Sequence, residues 1–193
     1  MDIDKYILSS LEKRRDSFKV LIEDNALIDK IRHLIMLICE AYRCHKKVLL
    51  FGNGGSAAQA QHFAAELIGR FKRERKALKA IALTTDTSVL TALGNDYGFE
   101  KIFSRQLEAL VDKEDIAIGL STSGNSPDVL EGIKTAKSSG AETIGFTGSK
   151  RNKLEEIVDI NIAVPSQDTP EIQEFHLLIG HLVCELVEKN LFE

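Results

Sequence analysis

From Lys47 onward the chain alternates short apolar runs with helical segments, and that alternation limits the fold more than any other feature. The runs lie at 48–51, 80–83, 116–120, 143–146 and 160–164. Each is too short for a helix, apolar throughout and bounded by Gly, Ser, Thr, Asp or Pro, as strands buried on both faces are. Helical segments follow the first four runs, at 56–71, at 87–93 with 99–111, at 127–139, and a short one at 152–157. Parallel strands need crossovers of this kind. The pattern predicts an α/β fold, a doubly wound parallel five-stranded sheet covered by helices.

Additional helices flank this core. Ile3, Ile7, Leu11, Phe18 and Ile22 recur near helical spacing. After a break near Asp24-Asn25, Leu27, Ile28, Ile31, Leu34, Ile35, Ile38 and Tyr42 do the same. The chain is therefore expected to form one domain over 1–193, with a helical hairpin at 1–45 and the α/β core at 46–193. A long helix at 169–190 closes it. Apolar residues cover well more than one face of that helix, which calls for burial nearly all round, and in so small a domain the covering surface is another subunit.

Composition excludes several classes. With 193 residues, 44% apolar and 28% charged, the chain resembles an ordinary globular protein that needs no staples. The net charge of −4 and scattered cations do not make a nucleic-acid footprint. The one basic cluster, Arg70 to Lys76, is broken by Glu74 and reads as a solvated turn. Cys39, Cys44 and Cys184 form no CxxC, and Cys39 and Cys184 sit in apolar helical patterns, so free buried thiols and a reducing compartment are expected. The first 16 residues lack the apolar core of a signal peptide, and no window reaches 18 apolar residues. The expected location is the cytoplasm.

Ligands of open α/β sheets bind beyond the carboxyl ends of the strands. Two loops there carry chemistry. Gly52-Asn53-Gly54-Gly55-Ser56 lacks the GK[ST] of a Walker A loop and has Ala57 where GxGxxG needs its third Gly. A tight turn needs one Gly; three imply close approach of a ligand to the backbone. Ser121-Thr122-Ser123-Gly124-Asn125-Ser126-Pro127-Asp128 ends in a clear helix start, with Ser126 as N-cap and Pro127 as first helical residue. One hydroxyl would cap; four around a Gly at a helix N-terminus make a phosphate cradle without a cation in the loop. Gly94-Asn95-Asp96-Tyr97-Gly98 alone reads as a turn. Among titratable groups, His62 and Glu66 share one helix face at i, i+4. The last helix adds Gln173, Glu174, His176 and His181, where a buried structural histidine competes with a functional one. His33 and His45 have no companions.

Taken together, Gly52–Ser56, Gln61-His62-Phe63-Ala64-Ala65-Glu66-Leu67, Gly94–Phe99, Ser121–Ser126 and Ile172-Gln173-Glu174-Phe175-His176 with His181 resemble the phosphoheptose isomerases, a family of sugar isomerase (SIS) domain enzymes. The resemblance spans essentially the whole chain. It implies a homotetramer converting sedoheptulose 7-phosphate to D-glycero-D-manno-heptose 7-phosphate, the first step toward activated heptose. It further implies that Asn53, Gly54, Gly55, Ser56, Asn95, Asp96, Ser121, Thr122, Ser123, Ser126, Glu66 and Gln173 bind substrate. His62, Glu66, Gln173 and His181 match the family's zinc ligands, and Glu66 with His181 its acid–base pair. Gln59 departs from an Asp common in the family but matches no ligand.

Two other readings compete. A non-catalytic relative binds the replication initiator DnaA, but that branch lacks the acid and histidine that stand here as Glu66 and His181. An isomerase of another sugar phosphate would show the same motifs. Gln173 and His181 are eight residues apart on one helix, about 12 Å along its axis. Two neighbouring subunits, each supplying one of the pair, are expected to build the site.

Overall fold

The computed structural model describes all residues from Met1 to Glu193. Two leading helices, α1 (Ile3–Glu23) and α2 (Asn25–Arg43), are separated by Asp24, whose carboxylate caps α2 at Leu27 N. The core follows as β1 (Val48–Gly52), α3 (Gly55–Ile68), β2 (Ala80–Ala82), α4 (Thr87–Tyr97), α5 (Ser104–Leu110), β3 (Ile116–Leu120), α6 (Pro127–Ser138), β4 (Glu142–Thr147) and β5 (Ile160–Ala163). The long helix α7 (Thr169–Phe192) ends the chain.

All five strands are parallel, in the order β2-β1-β3-β4-β5. The expected doubly wound sheet is therefore the one observed. Strand alternation divides the core in two. Val48 and Leu50 of β1 face one apolar layer with α2, α3 and α7, while Leu49 and Phe51 face the other with α5 and α6. Burial of each such side chain contributes roughly 1.5–3 kcal/mol, so the strands are anchored from both faces.

Three segments differ from the sequence reading. Residues 94–97 continue α4 instead of turning, and the helix stops at Gly98, whose φ is 92°. Residues 99–101 form a single 3-10 turn, leaving only Ser104–Leu110 helical in the expected 99–111 segment. Residues 152–157 make turns and no helix, with Asn152 Oδ1 accepting from Glu155 N in place of a helical ladder.

α1 has no buried residue, and Ile3, Ile7, Leu11 and Ile22 are exposed. It is held to α7 by an edge-on contact of Phe18 with Phe175 and by Arg14 paired to Glu174. An exposed pair of this kind contributes less than about 1 kcal/mol. Leu182 and Leu186 of α7 are also exposed. Cys39 and Cys184 are buried and all three cysteines are free. No helix is long and apolar enough to cross a membrane.

Candidate active site

Gly52 at the end of β1 pairs with Leu120 at the end of β3, so the glycine and serine loops leave the sheet side by side. The chain switches sides of the sheet here, the place where α/β sheets open a crevice. Gly54 turns the chain into α3 at φ 54° and ψ −120°, a backbone region essentially closed to residues with a Cβ. Asn53 donates its amide to Oδ1 of Asp128, 3.0 Å away on α6. That bond fixes the side-chain amide with its nitrogen on Asp128, leaving the amide oxygen without a partner in this bond. Asp128 is buried, which pushes its carboxyl above the ordinary value. Ser56 is buried, its N–H bonded to Asn53 O.

In the serine loop, Ser121 Oγ lies 3.0 Å from Ser126 Oγ and 3.5 Å from Ser123 Oγ. The Ser126 hydroxyl makes no capping bond to α6. It belongs to a cluster of hydroxyls at a helix N-terminus, an arrangement that suits a phosphate. Thr122 and Ser123 border an open cavity with Asn125, Lys150 and Thr169. Lys150, from the segment after β4, thus brings a cation beside a loop that has none.

A second cluster forms where α3 meets α7. Glu66 Oε1 lies 3.4 Å from His62 Nε2, one turn away on α3. His62 Nε2 lies 2.8 Å from His181 Nε2, one ring nitrogen donating and the other accepting. A ligand atom from each of the three residues falls within 4.8 Å of the others. Gly180 permits this approach, because a Cβ there would overlap the Phe63 ring of α3. Two imidazoles and a carboxylate are the donor set of zinc sites that keep an open position, so these side chains fit Zn²⁺.

Gln173 stands elsewhere within the chain. Its carboxamide lies against Gly55, with Nε2 2.5 Å from where a Cβ would be, and its backbone carbonyl accepts from Gln59 Nε2 at 2.5 Å. α3 and α7 run side by side in the same direction, since Gly55 meets Gln173 and His62 meets His181. From Gly55 to His62 is about 10 Å of helix axis. Gln173 therefore accompanies the glycine loop, and His181 the other cluster. Asn95 and Asp96, in the last turn of α4, are exposed and hydrogen-bonded to each other, with no bond to either loop.

His176 is fully buried with Nε2 3.1 Å from Thr147 O, and burial lowers its pKa to about 4. It is a neutral structural residue. His33 and His45 are exposed. Sequence reasoning assigned no role to Asp128, whose acid at a helix start reads as a dipole partner, or to Arg75. The side chain of Arg75 is only 2% exposed, contrary to the solvated turn expected for its segment.

Residues 11–148 match the family model described as SIS domain. The phosphoheptose isomerase of Geobacter sulfurreducens is 53% identical over 169 residues, 88% of this chain and 89% of that protein. That of Aquifex aeolicus is 59% identical over 157 residues, 81% of this chain and 82% of that protein. Among solved structures, a phosphoheptose isomerase from Francisella tularensis is similar at TM-score 0.92 and 35% identity, covering 98% of this chain and all of that one. One from Neisseria gonorrhoeae is similar at TM-score 0.90 and 36% identity, covering 97% and 99%.

Proposed function

The chain belongs to the phosphoheptose isomerase family of SIS-domain proteins, and from that premise we propose that it converts sedoheptulose 7-phosphate to D-glycero-D-manno-heptose 7-phosphate. The observation that carries this reading is the convergence of His62, Glu66 and His181 from two helices, beside a separate hydroxyl cradle made for phosphate. The non-catalytic branch, as described above, lacks the acid and histidine present here.

Ser121, Thr122, Ser123 and Ser126 hold the phosphate, Lys150 screening it. Asn53, held by Asp128, accepts from a sugar hydroxyl, while Gly54, Gly55 and Ser56 shape the loop, and Asn95 and Asp96 complete the sugar site across a subunit boundary. The reaction removes a proton from C1 of the ketose, passes through an enediol and returns a proton to C2. The proton of the C1 hydroxyl moves to the C2 oxygen. Glu66 exchanges the carbon proton, and His181 shuttles the one between oxygens. Glu66 Oε1 is turned to His62, which leaves Oε2 for proton transfer. Zn²⁺ held by His62, Glu66 and His181, with Gln173 of a neighbour, would polarise the substrate carbonyl. An atom that binds the metal cannot take a proton, so His181 would then shuttle through its other ring nitrogen and Glu66 through its other oxygen.

The two clusters form half-sites. An antiparallel pair of α7 helices from two subunits, crossing near Leu177, would bring Gln173 of each beside His181 of the other. The exposed apolar residues of α1 and α7 support such contacts and a homotetramer. The free cysteines agree with the cytoplasm as its compartment. Purified protein incubated with sedoheptulose 7-phosphate and followed by NMR should produce the aldose phosphate; absence of that product, with or without added Zn²⁺, overturns the reading.

A further inference from the structure

Behind the His62–Glu66–His181 cluster lies a buried ion pair that the mechanism does not use. The side chains of Arg75 and Glu188 are each 2% exposed, with Nε 3.1 Å from Oε2. Each partner does more than neutralise the other. Arg75 Nη2 donates to Glu66 O at 2.9 Å and Nη1 to Leu67 O at 2.8 Å. Both carbonyls belong to the last turn of α3, where a helix has no partners of its own for them. Arg75 thus caps the helix end at the residue that carries the catalytic carboxylate.

Glu188, on α7, accepts from the backbone N–H groups of Phe71 at 3.1 Å and Lys72 at 3.0 Å. Burial alone would raise its carboxyl, but these two N–H groups and Arg75 outweigh that and hold it below its ordinary value. By gripping the backbone at 71–72, Glu188 lays the Phe71 ring over the His181 imidazole, centroids 5.8 Å apart and planes 32° from parallel. One ion pair therefore touches both halves of the cluster, Glu66 through the backbone of α3 and His181 through Phe71.

A buried pair is a poor device for stability alone, because desolvating two charges costs as much as their attraction returns, and apolar replacements commonly fold as well or better. What the fork of an arginine and the two oxygens of a carboxylate supply is direction. We propose that Arg75 and Glu188 are positioning residues, which set the end of α3 and the face of α7 so that Glu66 and His181 meet the reacting atoms together. This rests on the isomerase reading above.

The test uses the full-length protein carrying Arg75→Lys, Glu188→Gln, or the apolar pair Arg75→Met with Glu188→Leu. The double change removes both charges at once, but also these partners of the Glu66 and Leu67 carbonyls and of the Phe71 and Lys72 N–H groups. Arg75→Lys and Glu188→Gln instead keep a donor and an acceptor in place, and thermal unfolding establishes which variants are folded. Misplacing a reacting group by about 1 Å costs up to about 100-fold in rate. The expected result is a fall in kcat of about 10- to 100-fold in the folded variants, with KM within about threefold, because the phosphate loops are untouched. In metal-free protein the imidazole ¹⁵N resonances of His62 and His181 should also shift. Folded variants, single or double, with wild-type kcat and unshifted imidazole resonances overturn the proposal. If the wild type turns over no substrate, the isomerase reading fails, and the proposed control over geometry stands or falls on the resonances.

Discussion

The Nε2 atoms of His62 and His181 lie 2.8 Å apart although 119 positions separate them in the chain. Two parallel helices make this contact, and the absence of a side chain at Gly180 lets them come close enough. Glu66 completes the cluster from one turn further along α3.

Glu66→Gln keeps the size and hydrogen bonding of the side chain but removes its basicity. Loss of an essential acid or base lowers rate by about 10²- to 10⁴-fold. The variant should keep its thermal unfolding profile while kcat falls by that order. Turnover within a few-fold of wild type would take Glu66 out of the proton transfer.

Ser121→Ala and Ser123→Ala each remove one donor from the hydroxyl cluster. A hydrogen bond to a charged group contributes roughly 1.5–3 kcal/mol. Calorimetry with inorganic phosphate and with substrate should show binding weakened at least tenfold, without loss of fold. Unchanged affinity in both variants would mean that the phosphate sits elsewhere.

Because His62 and His181 come from one chain, mixing variants of those two residues cannot rebuild a site. Gln173→Ala and His181→Ala proteins, denatured together and refolded as mixed oligomers, are the informative pair. If the half-sites belong to neighbours, some interfaces combine an intact Gln173 with an intact His181 and activity returns. Hybrids shown to form by mass spectrometry, yet no more active than their parents, argue for sites contained within single chains.

Gly180→Ala places a Cβ against the Phe63 ring. Overpacking of this sort destabilises by about 1–3 kcal/mol. The helices must separate, so turnover should fall more than the folded fraction does at the assay temperature. Adding Phe63→Leu should recover part of both. A variant with Gly180→Ala alone that melts and turns over like wild type would show that the close approach is dispensable.

His176 makes stability depend on pH in a definite direction. Its folded pKa, lowered by burial to about 4, lies below its ordinary value, so the unfolded chain takes up the proton first as pH falls. Its contribution is fully present above about pH 6.5 and is lost progressively down to about pH 4, amounting to about 3 kcal/mol. Urea unfolding across this range should show a steeper loss for wild type than for His176→Asn. Parallel pH profiles for the two proteins would assign the acid sensitivity to other groups.

Local rules were enough for most of the architecture. Hydrophobic period, strand length and capping residues act over a few positions, so five parallel strands, the break at Asp24 and the two loops at the carboxyl edge could be read from the residues alone. Where local signals conflict, packing decided. Gly94 and Asn95 look like a turn, yet α4 runs through them to Gly98. Residues 152–157 carry a helical pattern too short to nucleate without tertiary support, and they form turns. The candidate residues were legible as types, but their grouping was not. One helix carries both Gln173 and His181, and only the parallel course of α3 beside α7 determines that the first meets the glycine loop and the second meets His62. The same holds for Arg75, which in sequence is one cation of a basic turn. Its burial follows from Glu188, 113 residues away, because a carboxylate in a low-dielectric setting selects the one guanidinium that can satisfy it and two helix-end carbonyls together.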